Sequence, residues 1–317
     1  MATKLEVTEF DFDDIKTNLK TFMKNQTEWT DYDFEGSGIS NLIDLLAYNT
    51  HYLGYNMNML ANEMFIDSAA LRSSASSHAR TLGYETRSAT AAIATVNVIL
   101  NTSALTTATI SESTNTFTGN NEGVAYQFHL LDDITQTSSG NYINFNNVKL
   151  YEGTKVITNY SVDSTNEDQK FIISDNRADT TTLKVQVFDS AASSNSVVYT
   201  KATDITQVTS SSEVYFLQEI SGGKFEVYFG DGVIGKKLTN GNVVKLTYIV
   251  TNKADGNGIT SFSSSTAISG ITDVNVVTVN SASGGAEPES IASIKQNAPL
   301  DYAAQGRAVT TEDYKLY

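Results

Sequence analysis

The chain has 317 residues and no cysteine. That excludes disulfides, thiolate zinc sites and cysteine nucleophiles. Histidine is scarce: His51, His78 and His129 are the only three, and no two share the helical spacing of metal ligands. No metal and no cofactor is expected. Basic residues are few, 21 Lys and Arg against 36 Asp and Glu, for a net charge of -15. Such a surface repels phosphate backbones, so neither nucleic acid nor an anionic membrane is an expected partner. No run approaches the ~20 apolar residues of a bilayer span. The N-terminus, MATKLEVTEFDFDD, is acidic and carries no apolar core of signal length. The expectation is a soluble protein of a reducing compartment. Proline occurs only at Pro288 and Pro299.

What is present falls into three regions. Residues 1–89 read as helical. Ile15, Leu19, Phe22 and Met23 follow helical spacing after Asp13 and Asp14, which suit a helix N-terminus. A turn, TDYDFEGSG, precedes a long helix, ISNLIDLLAYNTHYLGYNMNMLANEMF. This helix carries two apolar stripes. Ile39, Leu42, Leu46, Leu53, Met57, Leu60 and Met64 form one; Leu45, Tyr48, Tyr52, Tyr55 and Met59 form the other, roughly 100° away. Asp44 and His51 are its only charged or titrating acid–base side chains before Asn62. A surface helix needs one apolar stripe, so this one is expected to meet at least two neighbours. A third helix, SAALRSSASSHARTLG, places Leu71, Ala75, Ala79 and Leu82 on one face and ends at Gly83.

After about residue 90 the period shortens. TVNVIL, YQFHLL, YINFNNVKLY, TLKVQVF, SVVYT, EVYFLQ, KFEVYF and VVKLTYIV are β-rich and separated by Gly, Asn, Asp and Ser clusters. Residues 90–275 therefore read as antiparallel β structure, one domain or two, with a boundary near 150. Residues 276–317 return to helix. Pro288 and Glu289 suit its start; Ile291, Ile294 and Ala298 share a face; Pro299 is expected to stop it. Thr310 and Asp313 resemble a capping box, and the chain is expected to stop inside that element. The fold class is α+β multidomain: a long-helix N-terminal segment, central antiparallel β domains and an incomplete helical C-terminal segment.

Residues 229–237, FGDGVIGKK, overlap two nucleotide signatures. Gly230, Gly232 and Gly235 fit G-x-G-x-x-G; Gly230, Gly235 and Lys236 fit most of G-x-x-x-x-G-K. Both motifs need a strand, a glycine loop and then a helix. KFEVYF supplies the strand, but VIGKKL and Asn240-Gly241 follow instead of a helix. Asp231-Gly232 and Asn240-Gly241 are type I′ hairpin dipeptides, so the reading is a β-meander with one short strand between two turns. Asp31, Asp33, Glu35 and Gly36 begin like a calcium loop, but the twelfth position is Leu42. An acidic turn before a helix is expected there.

FEVYFGDGVIGKKLTNGNVVKLTYIV, followed by ADGNG, resembles baseplate J-like proteins of contractile-tail phages. SGGAEPESIASIKQNAPLDYAAQGRAVTTEDY resembles the same family's next segment, through Gly284, Gly285, Pro288, Glu289, Pro299, Arg307, Thr310, Glu312 and Asp313. LLAYNTHYLGYNMNMLANEMF, LRSSASSHARTLGY, YEGTKVITNYSVD and QKFIISDNRADTTTLKVQV resemble the T-even-type baseplate wedge branch, whose members continue past the RAVT-x-EDY segment. The resemblance implies a non-enzymatic structural protein of the virion tail baseplate, assembled in the host cytoplasm. It implies pairing with a second copy and with other wedge proteins in a ring around the tail hub, a ring that rearranges when the sheath contracts. Tube and sheath initiator proteins are further implied neighbours.

The residues suggest the same role without the resemblance. Asn and Tyr among aliphatics suit a stable, specific interface. Ile39, Leu42, Leu46, Leu53, Met57, Leu60, Tyr48, Tyr52 and Tyr55 are the expected contacts of an intermolecular bundle; the alternative is packing against helices 13–25 and 68–83 of the same chain. Rival functions are a sugar-binding tail adhesin, from the acidic Tyr-rich β region, and a nucleotide-binding enzyme using 230–236.

Overall fold

The structure, a computed structural model, describes residues 11–26, 28, 31–166 and 169–304. The chain divides into two compact units, residues 1–84 with 291–317, and residues 85–290. The Arg307, Thr310, Glu312 and Asp313 signature lies outside the described residues.

The first unit is helical. α1 (Phe12–Lys24) starts at Asp11, whose carboxylate accepts from the Asp13 amide at 2.9 Å, a side-chain cap on an otherwise orphan donor. α2 (Gly38–Glu63) starts at Ser37, whose hydroxyl accepts from Ser40 N and donates to Asp31 O. The acidic turn is thus the lead-in to a capped helix, and Gly36 supplies its left-handed residue at φ 99°. α3 (Arg72–Thr81) ends in paired reverse bonds, Gly83 N to Arg80 O and Tyr84 N to Ala79 O, the Schellman pattern that glycine at φ 83° permits. α4 (Ile291–Ala304) packs Ile294 and Ala298 against Ala75 and Ala79 in a core of small side chains. Here the expected stop at Pro299 fails: the helix runs through it to Ala304. An interior proline costs about 3 kcal/mol, and burial of Ile294 and Ala298 on the packed face holds the helix across it.

The second unit is β. Its strands are β1 (Ile93–Asn101), β2 (Thr107–Ile110), β3 (Phe117–Asn121), β4 (Val124–His129), β5 (Ile134–Thr137), β6 (Tyr142–Glu152), β7 (Thr154–Ser161), β8 (Phe171–Ile173), β9 (Ala178–Phe188), β10 (Ser196–Lys201), β11 (Val214–Ile220), β12 (Lys224–Phe229), β13 (Val243–Val250), β14 (Phe262–Ser264) and β15 (Val274–Ser283). A six-stranded sheet runs β14-β3-β4-β6-β1-β15 and a seven-stranded sheet runs β7-β13-β9-β10-β11-β12-β8. β2 and β5 pair separately. Strand pairs are antiparallel except a short parallel contact of β10 with β11. Alternation sets the faces: Ala94, Val96, Val98 and Leu100 of β1 point into one core with Phe117, Phe128 and Phe145. Val185, Leu246, Tyr248 and Phe225 build a second core. The Tyr160 hydroxyl donates to Ile172 O at 2.6 Å, joining the seven-stranded sheet's two edge strands.

The α+β class is as the sequence reads, and each of the eight β-rich runs overlaps a strand, YQFHLL running past the end of β4 by Leu130 and Leu131 and EVYFLQ starting at Glu213, just before β11. Two details differ. β15 occupies 274–283, where the sequence reading begins its helical C-terminal region at 276; VNVVTVN alternates, and β-branched residues favour the strand. The meander is also absent. β12 lies between β11 and β8, β13 lies between β7 and β9, and no strand forms between them.

Candidate assembly surface

α2 has 26 residues, about 39 Å at 1.5 Å per residue. Lys16 of α1 pairs with Asp44 at 2.6 Å. The buried positions of α2 are Ser40, Ile43, Ala47, Gly54 and Asn62. Ile43, Ala47 and Gly54 fall on one narrow face, at roughly 100° per residue. Neither sequence-predicted stripe coincides with it. Leu42, Leu46, Leu53, Met57 and Leu60 lie roughly 95° to one side, and Leu45, Tyr48, Tyr52, Tyr55 and Met59 roughly 140° to the other. Those ten side chains are 43–68% exposed, and Met64 and Phe65 continue the surface at 64% and 56%. Ile39 is half-buried. The home-packing face escaped sequence analysis because Ala47 and Gly54 carry little hydrophobic signal.

Tyr48 and Tyr52 bring their rings to 4.8 Å. The hydrogen bond between them raises the Tyr48 hydroxyl above its ordinary range. At the far end, Glu63 turns back. Its carboxylate accepts from Ala70 N at 2.8 Å and Leu71 N at 3.2 Å. Burial pushes this carboxyl up, but the Ser74 hydroxyl and the two amides outweigh that and lower it. His78 bonds the Glu63 carbonyl oxygen through Nε2 at 2.8 Å. The recess lined by Glu63, Ser73, Ser74, Ser77 and His78 is therefore a helix junction whose acid is committed to backbone amides.

The glycine loop is arranged differently from a phosphate cradle. Asp231 Oδ1 accepts from Val233 N and Ile234 N at 2.8 and 3.0 Å; those two bonds hold the carboxyl below its usual range. The place an anionic ligand would take is filled by the chain's own carboxylate. Gly232 N bonds Gly235 O, Gly235 N bonds Thr209 O and Lys236 N bonds Ser212 O. Gly230 lies flat against Gly235: a Cβ on Gly230 would meet the Gly235 carbonyl carbon at 2.2 Å. Gly232, Gly235 and Gly241 have positive φ, but Asp231 and Asn240 do not. A type I′ turn needs both central residues at positive φ, so neither dipeptide forms one. The 239–242 turn, closed by Asn242 N to Thr239 O, has the type II pattern. Among the described residues no cluster of three His, Asp or Glu could hold a metal, and no helix is long and apolar enough to cross a membrane.

Comparison with known proteins matches both regions. Residues 11–84, which contain α2, match the family "Baseplate wedge protein gp6-like, helical domain". Residues 156–259, which contain the glycine loop, match "Bacteriophage baseplate wedge protein gp6, third domain". The chain is 31% identical over 332 aligned positions to baseplate wedge protein gp6 of Enterobacteria phage T4. That alignment covers 96% of this chain and 49% of the relative, so the chain spans about half the relative's length. With two gp6 domain families matched in separate regions, and identity at this level along nearly its whole length, the chain belongs to the gp6-like family of phage baseplate wedge proteins.

Proposed function

We propose that this chain is a non-enzymatic structural subunit of a phage tail baseplate wedge and that α2 is its assembly element. Family membership supports the wedge role. The observation that carries the assembly role is the exposure of both apolar stripes, from Leu42 to Leu60, while a third face packs at home. A monomer rarely leaves so large a contiguous apolar surface in water. Two uncovered stripes call for two further helical faces, supplied by a second copy and by another wedge protein. Subunits joined this way form a ring around the tail hub, and repacking of the stripes would let that ring rearrange on sheath contraction.

The test is the double variant Leu53→Asp, Met57→Asp, read by light scattering and circular dichroism. Both side chains are more than half exposed, so the single chain keeps its fold. Each interface anchor lost costs about 2 kcal/mol, roughly a 30-fold weaker Kd per position, and the full chain's solution mass falls toward that of a monomer. Association that survives unchanged in the folded variant would sink the assembly reading and leave the family assignment standing.

A further inference from the structure

Two buried carboxylates stand where the chain passes between the β sheets. Glu152 is 0% and Asp179 2% exposed. Acids are almost never buried so deeply unless paired with a cation, yet neither has an ion-pair partner among the described residues. Hydrogen-bond donors take that part, and each donor set bridges the layers. Glu152 ends β6 of the six-stranded sheet. It accepts from Thr251 Oγ1 at 2.7 Å, Asn252 N at 3.0 Å and Asn252 Nδ2 at 2.7 Å, just past β13 of the seven-stranded sheet. Asp179 stands near the start of β9 in the seven-stranded sheet. It accepts from Ala91 N at 2.8 Å, just before β1 of the other sheet, and from Thr181 N and Oγ1 at 2.9 and 2.7 Å. A further bond crosses nearby: Thr180 N of β9 donates to Ser88 Oγ in the segment that leads into β1.

The crossing chains touch directly. Gly153 has φ 130°, and a Cβ there would sit 2.4 Å from Val250 O; a Cβ on Gly256 would meet Glu152 Cγ at 2.6 Å. Flexible tethers between independent domains are long, polar and uncrowded. These crossings are short, buried and closed by charge-assisted bonds, roughly twice as strong as neutral ones.

We infer that Glu152 and Asp179 form a two-way clasp that makes the β layers one cooperative body, so that displacement of one layer carries the other. The inference stands on geometry within residues 85–290 and does not depend on the assembly role of α2. Native-state hydrogen exchange on the full chain, read by mass spectrometry at graded denaturant, tests it. In the wild type the slowest amides of β1 and β6 open in step with those of β9 and β13. In Glu152→Gln, Asp179→Asn the two sets separate by about tenfold or more, the size expected for losing charge-assisted bonds. Glu152→Gln alone gives a smaller separation and serves if the double variant does not fold. Val96→Ala is the control: it thins one core, and both sets speed up together. Layers that open independently in the wild type, or that stay in step in the clasp variants, overturn the proposal.

Discussion

His129 ends β4 and is 8% exposed, with no hydrogen-bond partner for Nε2 among the described residues. Its strand neighbour is Tyr151, and Lys155, itself bonded to Glu112, adds a nearby positive charge. Burial, then Lys155, lowers the imidazole below its ordinary 6.5. The folded state therefore prefers the neutral ring. Above pH 6.5 both states are neutral and the group contributes nothing to the pH dependence. As pH falls through 6.5 the unfolded chain takes up the proton first, and stability drops until the folded pKa is passed. Thermal melts of the wild type should lose Tm between pH 7 and 5, and His129→Gln should flatten that loss. An equal slope in the variant would assign the pH effect elsewhere. Gly230 makes the second residue-scale case. Any side chain there meets backbone, so Gly230→Ala must open the loop and break its bonds to Gly235 and Thr209. The expected loss is about 2 kcal/mol or more. Gly232→Ala meets nothing nearer than Lys237 Cβ at 3.6 Å and should cost about 1 kcal/mol, for positive φ alone. Urea midpoints at constant slope would show that order, and nearly equal losses would contradict it.

At the scale of the element, α2 separates folding from association along one helix. Ile43 is 3% exposed on the home face, and Leu53 is 56% exposed on a stripe. Ile43→Asp buries a charge and should cost about 3 kcal/mol or more of folding stability. Leu53→Asp should leave the helical signal and Tm of the monomer nearly unchanged and weaken only association. Equal unfolding by the two variants would mean the stripes pack at home. The sequence made the stripes legible because Leu, Met and Tyr recur at spacings of three and four. It did not reveal which face the chain itself covers, because the interior face is built of Ala47 and Gly54, where close approach replaces bulk. The glycine loop shows a similar limit. The missing helix after Val233 was readable, and it argued against a phosphate site. The bond from Asp231 to two amides depends on a loop path that no local pattern encodes, and the type I′ reading failed with it. Long runs such as VVKLTYIV name their strands; three-residue strands such as β8 and β14 exist only because a neighbour pairs with them.

For the molecule as a whole, the units follow buried contacts rather than sequence order. Residues 85–290 hold both β cores, and the segment from Glu85 to Ala92 is fastened along its length. Thr86 donates to buried Glu219, Arg87 N donates to Glu289 at 3.2 Å, Ser88 meets Thr180 and Ala91 meets Asp179. A β unit cut at 85 keeps all of these bonds. One cut at 90, where the change of periodicity would place the boundary, loses three of them and leaves Glu219 and Glu289 buried with fewer partners. At about 1 kcal/mol per hydrogen bond, and more for an acid left unsatisfied, the shorter piece should be less stable by about 3 kcal/mol or more. Residues 85–290 should therefore be a folded monomer by light scattering with a single urea transition, and residues 90–290 should unfold at distinctly lower urea. If the two pieces share one midpoint, the segment before β1 is a passive connection; if 85–290 itself associates, the β surface rather than α2 carries assembly.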